Sequence, residues 1–194
     1  MSLGGWEVKV CNNGFPQKVA TAITRFDEQI LGAEYVPISY LGSQVVNGIN
    51  HAVLAEQTLL TGRDTKNAVV MVFNEPPKAM DASLVSINTL VAGGHGMGAV
   101  EINMTTDIPV DAKAAFVKAF EGFVGSKVEP FAYIGQQVTK GVNYIFACTV
   151  TPVTLETQPQ TLSLVTVNSL DNKADMKPFF SDTQNNGLGY AFTW

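Results

Sequence analysis

The chain is poor in the residue types on which much protein chemistry depends. Its 194 residues include two cysteines, Cys11 and Cys148, and two histidines, His51 and His95. Two thiols exclude a disulfide-dense scaffold and a four-thiolate zinc site, so stability has to come from a packed core. Each cysteine reads as a small structural thiol, with a single bond between them left open. Charged residues make up 15% of the chain, below the roughly 25% of an average domain. Lys+Arg number 12 against 17 Asp+Glu, a net charge of -5, and the cations are scattered singly. That pattern argues against a nucleic-acid partner, which needs clustered positive charge. No apolar run approaches the roughly 20 residues that cross a bilayer, so no membrane partner is expected. Met1 to Gly5 is too short for a secretory signal. The chain therefore reads as soluble, either cytoplasmic or secreted with a signal removed.

The glycine-rich stretch Gly93 to Gly98 lacks the Gly-Lys-Ser/Thr ending of a phosphate loop. His51 has no second ligand at a useful spacing and reads as a strand residue that packs or hydrogen-bonds. No acid, base and nucleophile recur together. The expectation is a non-enzyme with no catalytic residue, no metal ligand and no cofactor.

What is present is a repeat. Residues 31–51 match residues 124–144 at a constant offset of 93, with eight of 21 positions identical. The pairs are Gly32 with Gly125, Pro37 with Pro130, Tyr40 with Tyr133, Gly42 with Gly135, Gln44 with Gln137, Val45 with Val138, Gly48 with Gly141, and Asn50 with Asn143. The match divides the chain into a first module, 4–91, a glycine-rich linker, 92–98, a second module, 99–182, and a C-terminal tail, 183–194. Tyr190, Phe192 and Trp194 make that tail a candidate for docking on a partner or another copy.

Within module one, Val19, Ile23, Phe26 and Ile30 form the apolar stripe of a helix that Pro16 opens and Gly32 ends. Ala112, Phe116, Ala119 and Phe123 repeat it after Pro109. A short strand precedes each helix and four strand-like runs follow. Asn47-Gly48 predicts a type I′ hairpin turn between Tyr35–Val46 and Ile49–Leu60. The fold class expected is α+β, each module an antiparallel sheet of four to five strands wrapped on one helix.

Gly4-Gly5-Trp6 at the start and Gln44-Val45-Val46-Asn47-Gly48 at the predicted hairpin tip carry a family resemblance. In this order of elements the chain resembles the cystatin superfamily of cysteine-peptidase inhibitors, twice over. The resemblance implies a tandem pair of cystatin-like modules. It also implies a wedge of N-terminal segment, first hairpin and second hairpin that plugs the cleft of a papain-like peptidase. On that basis Gly4, Gly5, Gln44, Val45, Val46, Asn47, Gly48, Pro76 and Pro77 are the peptidase-binding candidates. Gln44 is expected to turn inward and hold the hairpin in shape.

Module two carries a weaker equivalent, Gln137, Val138, Thr139, Lys140 and Gly141, in which Thr139 replaces an apolar contact and Lys140 adds charge. The family's second hairpin usually carries Pro-Trp. This chain has Pro76-Pro77-Lys78 in module one and neither residue around Ser169 to Asn172. Two functions follow from different classes. One is a reversible steric inhibitor of papain-like cysteine peptidases acting mainly through module one. The other is a non-inhibitory binding, adhesion or scaffold protein. A surface hairpin whose Asn-Gly only turns the chain explains Asn47 and Gly48 as well.

Overall fold

The computed structural model describes residues 5–78, 81–153 and 159–179. Gly4 and the 183–194 tail, with its expected role in docking, lie outside the described residues. The chain divides into two compact units between Ala92 and Gly93.

Unit 1 runs β1 (Trp6–Cys11), α1 (Gln17–Asp27), β2 (Ala33–Val46), β3 (Gly48–Leu59), β4 (Thr65–Glu75) and β5 (Ser83–Ala92). Its five strands are antiparallel and lie in chain order, β1-β2-β3-β4-β5. Unit 2 repeats the order with β6 (Val100–Thr105), α2 (Val110–Ala119), β7 (Ser126–Thr139), β8 (Gly141–Pro152), β9 (Thr161–Asn168) and β10 (Ala174–Pro178).

Proline sets the start of each helix. Pro16 and Pro109 occupy the N-cap with extended ψ angles of 136° and 142°, and their carbonyls accept the first intrahelical bonds from Ala20 and Lys113. A proline here loses nothing, because the first N–H groups of a helix have no internal partner. α1 stops at Asp27, short of the predicted stripe's last member, yet Ile30 still packs on the core.

Val19, Ala22 and Ile23 of α1 bury against Tyr35, Tyr40, Val53, Ala55, Val69, Met71 and Phe73. In unit 2, Ala112, Ala115 and Phe116 of α2 meet Tyr133, Phe146, Cys148, Val165 and Val167. Phe116 stands edge-on to Phe146 at 5.1 Å between ring centroids.

The helices account for only part of the burial, and here the expected fold class is corrected. Among the described residues strand far outweighs helix, a β-rich fold of two five-stranded antiparallel sheets in place of the expected cystatin-like α+β. Alternate side chains in a strand point to opposite faces, so one helix buries only every second residue. Yet Leu41, Ala52, Leu54, Val70 and Val72, which alternate with the helix-facing set, are also no more than 2% exposed. The central strands are apolar on both faces. Ala52-Val53-Leu54-Ala55 and Ala68-Val69-Val70-Met71-Val72-Phe73 are the continuous runs this requires.

The glycine-rich stretch turns tightly at the entrance to unit 2. Gly94 N–H donates to the Val100 carbonyl at 3.0 Å, and Ala99 N–H to that of Gly96 at 3.3 Å. Gly96 and Gly98 take φ of 98° and 78°, where glycine has no steric penalty.

Candidate functional site

One end of the unit 1 sheet gathers most of the candidate residues. β2 and β3 pair to their tips in the register Gln44↔Asn50, Val45↔Ile49 and Val46↔Gly48. This leaves Asn47 alone at the turn. A type I′ turn needs positive φ at two central residues, whereas only Gly48, at 105°, has it here, so that expectation is corrected. Val45, Val46 and Ile49 remain 39%, 43% and 37% exposed, an apolar edge where a solvated turn would be polar.

The first and last parts of the edge are placed by strand pairing. Trp6 stands opposite Gln44, so Gly5 enters the sheet beside the hairpin tip. β4 ends at Glu75, opposite Ile49, and delivers half-buried Pro76 and exposed Pro77 to the same end. A Cβ on Gly48 would overlap the Glu75 carbonyl oxygen and come within 2.9 Å of Pro76 Cα. Backbone contact therefore joins the hairpin tip to the proline loop. Gly5, Gln44 to Gly48, Pro76 and Pro77 share one rim.

A ladder of side-chain amides braces the rim from below. Asn74 Nδ2 donates to Asn50 Oδ1 at 2.8 Å, and Asn50 Nδ2 donates to Gln44 Oε1 at 3.1 Å. The chain of bonds crosses β4, β3 and β2 at directly opposed positions, so each amide orients the next. Unit 2 repeats it. Asn168 donates to Asn143 at 2.8 Å and Asn143 to Gln137 at 3.4 Å, while Gln137 Nε2 reaches the Gly98 carbonyl at 2.7 Å.

Beside the ladder lies a charged cluster that sequence reasoning did not assemble. Tyr40 O–H, on β2, lies 2.9 Å from His51 Nδ1, on β3. The opposite ring nitrogen, Nε2, faces the Glu75 carboxylate at 3.5 Å without a hydrogen bond, and Glu75 pairs with Lys18 of α1 at 2.5 Å. His51 is 6% exposed. Burial pushes its imidazole down from the ordinary value, with Glu75 pulling the other way. Lys18 holds the Glu75 carboxyl below its usual range, and burial pushes the Tyr40 phenol up. The signal in the sequence was the repeated Tyr40/Tyr133 pair, but nothing there placed Lys18 or Glu75 beside it.

Unit 2 departs from this plan. At the offset of 93, Asp111 and Tyr144 stand where unit 1 has Lys18 and His51; beyond β8 the match shifts by one residue, so that Asn168 answers Asn74 and Ser169 answers Glu75. Its hairpin tip is Lys140, flanked by Thr139↔Gly141, and Gly141 has φ 90°. The β9–β10 loop is stapled to β8 by paired bonds: Ser169 N–H donates to the Val142 carbonyl at 2.8 Å, and Val142 N–H to Ser169 Oγ at 2.9 Å. That loop presents Leu170, 61% exposed, and Val138 on β7 is 63% exposed. A Cβ on Gly141 would lie 3.0 Å from Leu170 Cβ. Leu170 is an apolar tip residue in a loop that carries neither proline nor tryptophan.

The cysteines are free, with Cys148 buried and Cys11 exposed. Among the described residues no group of three or more His, Cys, Asp and Glu is placed to hold a metal ion, and no helix is long and apolar enough to cross a membrane. No protein-family model matches this chain, and no curated protein matches it.

Proposed function

We propose that the rim of unit 1 is a protein-docking wedge that reversibly inhibits papain-like cysteine peptidases by steric block. The observation that carries the reading is the juxtaposition of the segment at Gly5, the exposed Val45-Val46 hairpin and Pro76-Pro77 at one end of a single sheet. The resemblance of Gln44 to Gly48 to the cystatin hairpin motif supplies the target class. The rim carries no nucleophile, and blocking a cleft needs none. An apolar edge already fixed by backbone pairing and an amide ladder gives up little conformational freedom on docking. The valines supply desolvated contact, and the turn at Gly48 keeps the tip narrow.

The test is titration against papain and a cathepsin. Val46→Asp puts a charge on an exposed side chain, so it should abolish inhibition while leaving thermal unfolding unchanged. Absence of inhibition by micromolar wild-type protein overturns the reading. A non-inhibitory binding protein is the second reading. It is favoured by the second rim, where Val138 and Leu170 are exposed beside a lysine tip.

A further inference from the structure

We infer that His51 makes the unit 1 rim proton-sensitive: the neutral imidazole holds the hairpin tip against the proline loop, and protonation loosens it. This deepens the docking role proposed for that rim and rests on it only for its biological use. His51 Nε2 is the one buried side-chain polar atom among the described residues without a hydrogen-bond partner. In the neutral ring that accepts from Tyr40 O–H at Nδ1, the ring proton sits on Nε2, facing Glu75 at 3.5 Å. A second proton has to enter at Nδ1. It removes the acceptor that Tyr40 O–H uses and places a full charge in a site that is 6% exposed.

Among the described residues the anion facing that charge is Glu75, which Lys18 already engages. The groups around the ring come from each packed element: Tyr40 on β2, Glu75 on β4 and, beyond it, Lys18 on α1, while Glu7 on β1 acts on Tyr40. Glu75 is the route to the rim, because its own carbonyl oxygen lies against Gly48. A carboxylate drawn from Lys18 toward an imidazolium shifts the backbone on which the tip rests. Unit 2 lacks the device, since Tyr144, which carries no imidazole, stands at the position of His51.

The experiment is a proton titration of the full chain by NMR, from about pH 7.5 to about pH 5, following the His51 ring and the Gly48 and Gly141 amides. That window lies above the Glu75 titration, which Lys18 holds low. The expected result is a Gly48 shift with the same midpoint as the His51 ring, below the ordinary imidazole value, with Gly141 flat. In His51→Tyr, which copies the residue of unit 2, the Gly48 shift disappears. His51→Gln provides a second neutral ring substitute of different shape, and should behave alike. A flat Gly48 in wild type, or an unchanged shift in either variant, overturns the inference. No peptidase enters the measurement, so failed inhibition and failed proton coupling are separate results.

Discussion

Gly48 and Glu75 are in backbone contact across the β3–β4 pair, so close that position 48 has no room for a side chain. Gly48→Ala therefore meets two penalties, the positive φ of 105° and overlap with a carbonyl that cannot rotate away. Gly62 separates the two. Its φ of 86° is equally unfavourable to alanine, but nothing lies within 4 Å of the added carbon. Gly62→Ala should cost about 1 kcal/mol, the strain alone, and Gly48→Ala at least about 2 kcal/mol. Equal losses in chemical denaturation would show that the tip yields freely and that the rim is not braced.

Asn50 is the middle rung of the amide ladder and the only one that both donates and accepts along it. Asn50→Ala leaves Gln44 without that donor and Asn74 without that acceptor. Stranding half-buried polar groups costs about 1–3 kcal/mol, several times the change expected from an exposed substitution such as Val46→Asp. Thermal unfolding of the two variants side by side checks the ranking. The matching change in unit 2, Asn143→Ala, should cost less, because its bond to Gln137 is longer, at 3.4 Å, and Gln137 keeps the Gly98 carbonyl.

Much of the strand order was legible because turns and apolar runs announce themselves locally. Pro16 and Pro109 and the stripes that run through α1 and α2 follow from spacing alone, whereas Gln44 opposite Asn50 does not, because a two-residue turn at Asn47-Gly48 would set Gln44 against His51. The fold class differs from the α+β expectation for a reason visible in Ala68 to Phe73: a sheet with one face on a helix asks for alternation, whereas this unbroken apolar run is what burial on two faces produces. Asn47 shows a second limit. Asn-Gly permits a two-residue turn, but the packing of Gly48 on Glu75 selects a tighter register, and no local pattern contains that contact. His51 shows a third, since its partners lie 11, 24 and, through Glu75, 33 residues away in sequence.

Thiol chemistry should separate the two cysteines. Cys148 is 0% exposed and burial pushes its thiol up, so little thiolate forms and no reagent reaches it. Cys11 is exposed at the end of β1. Alkylation of the native protein should modify Cys11 alone, with Cys148 reacting only after denaturant is added. Rapid modification of two thiols in the native state would contradict the burial of β8.

Stability should fall on acidification in two separate windows, and the sign follows from the two depressed groups of the rim. The folded imidazole of His51 lies below its ordinary value of about 6.5, so between those limits the unfolded chain binds the proton more readily than the folded one. Stability contributed by the neutral ring is full above the ordinary imidazole value and is lost as pH falls through the folded one. Glu75, also depressed, acts in the same direction but lower, its contribution lost as pH falls below the ordinary carboxylate range. Melting temperature against pH should therefore show a first decline in the imidazole range and a second in the carboxylate range. His51→Tyr should remove the first and keep the second, whereas Lys18→Met should mainly reduce the second, because the ammonium is the chief cause of the Glu75 depression. A first decline that survives His51→Tyr would assign it to another group and leave the Tyr40–His51–Glu75 contact without a role in acid stability.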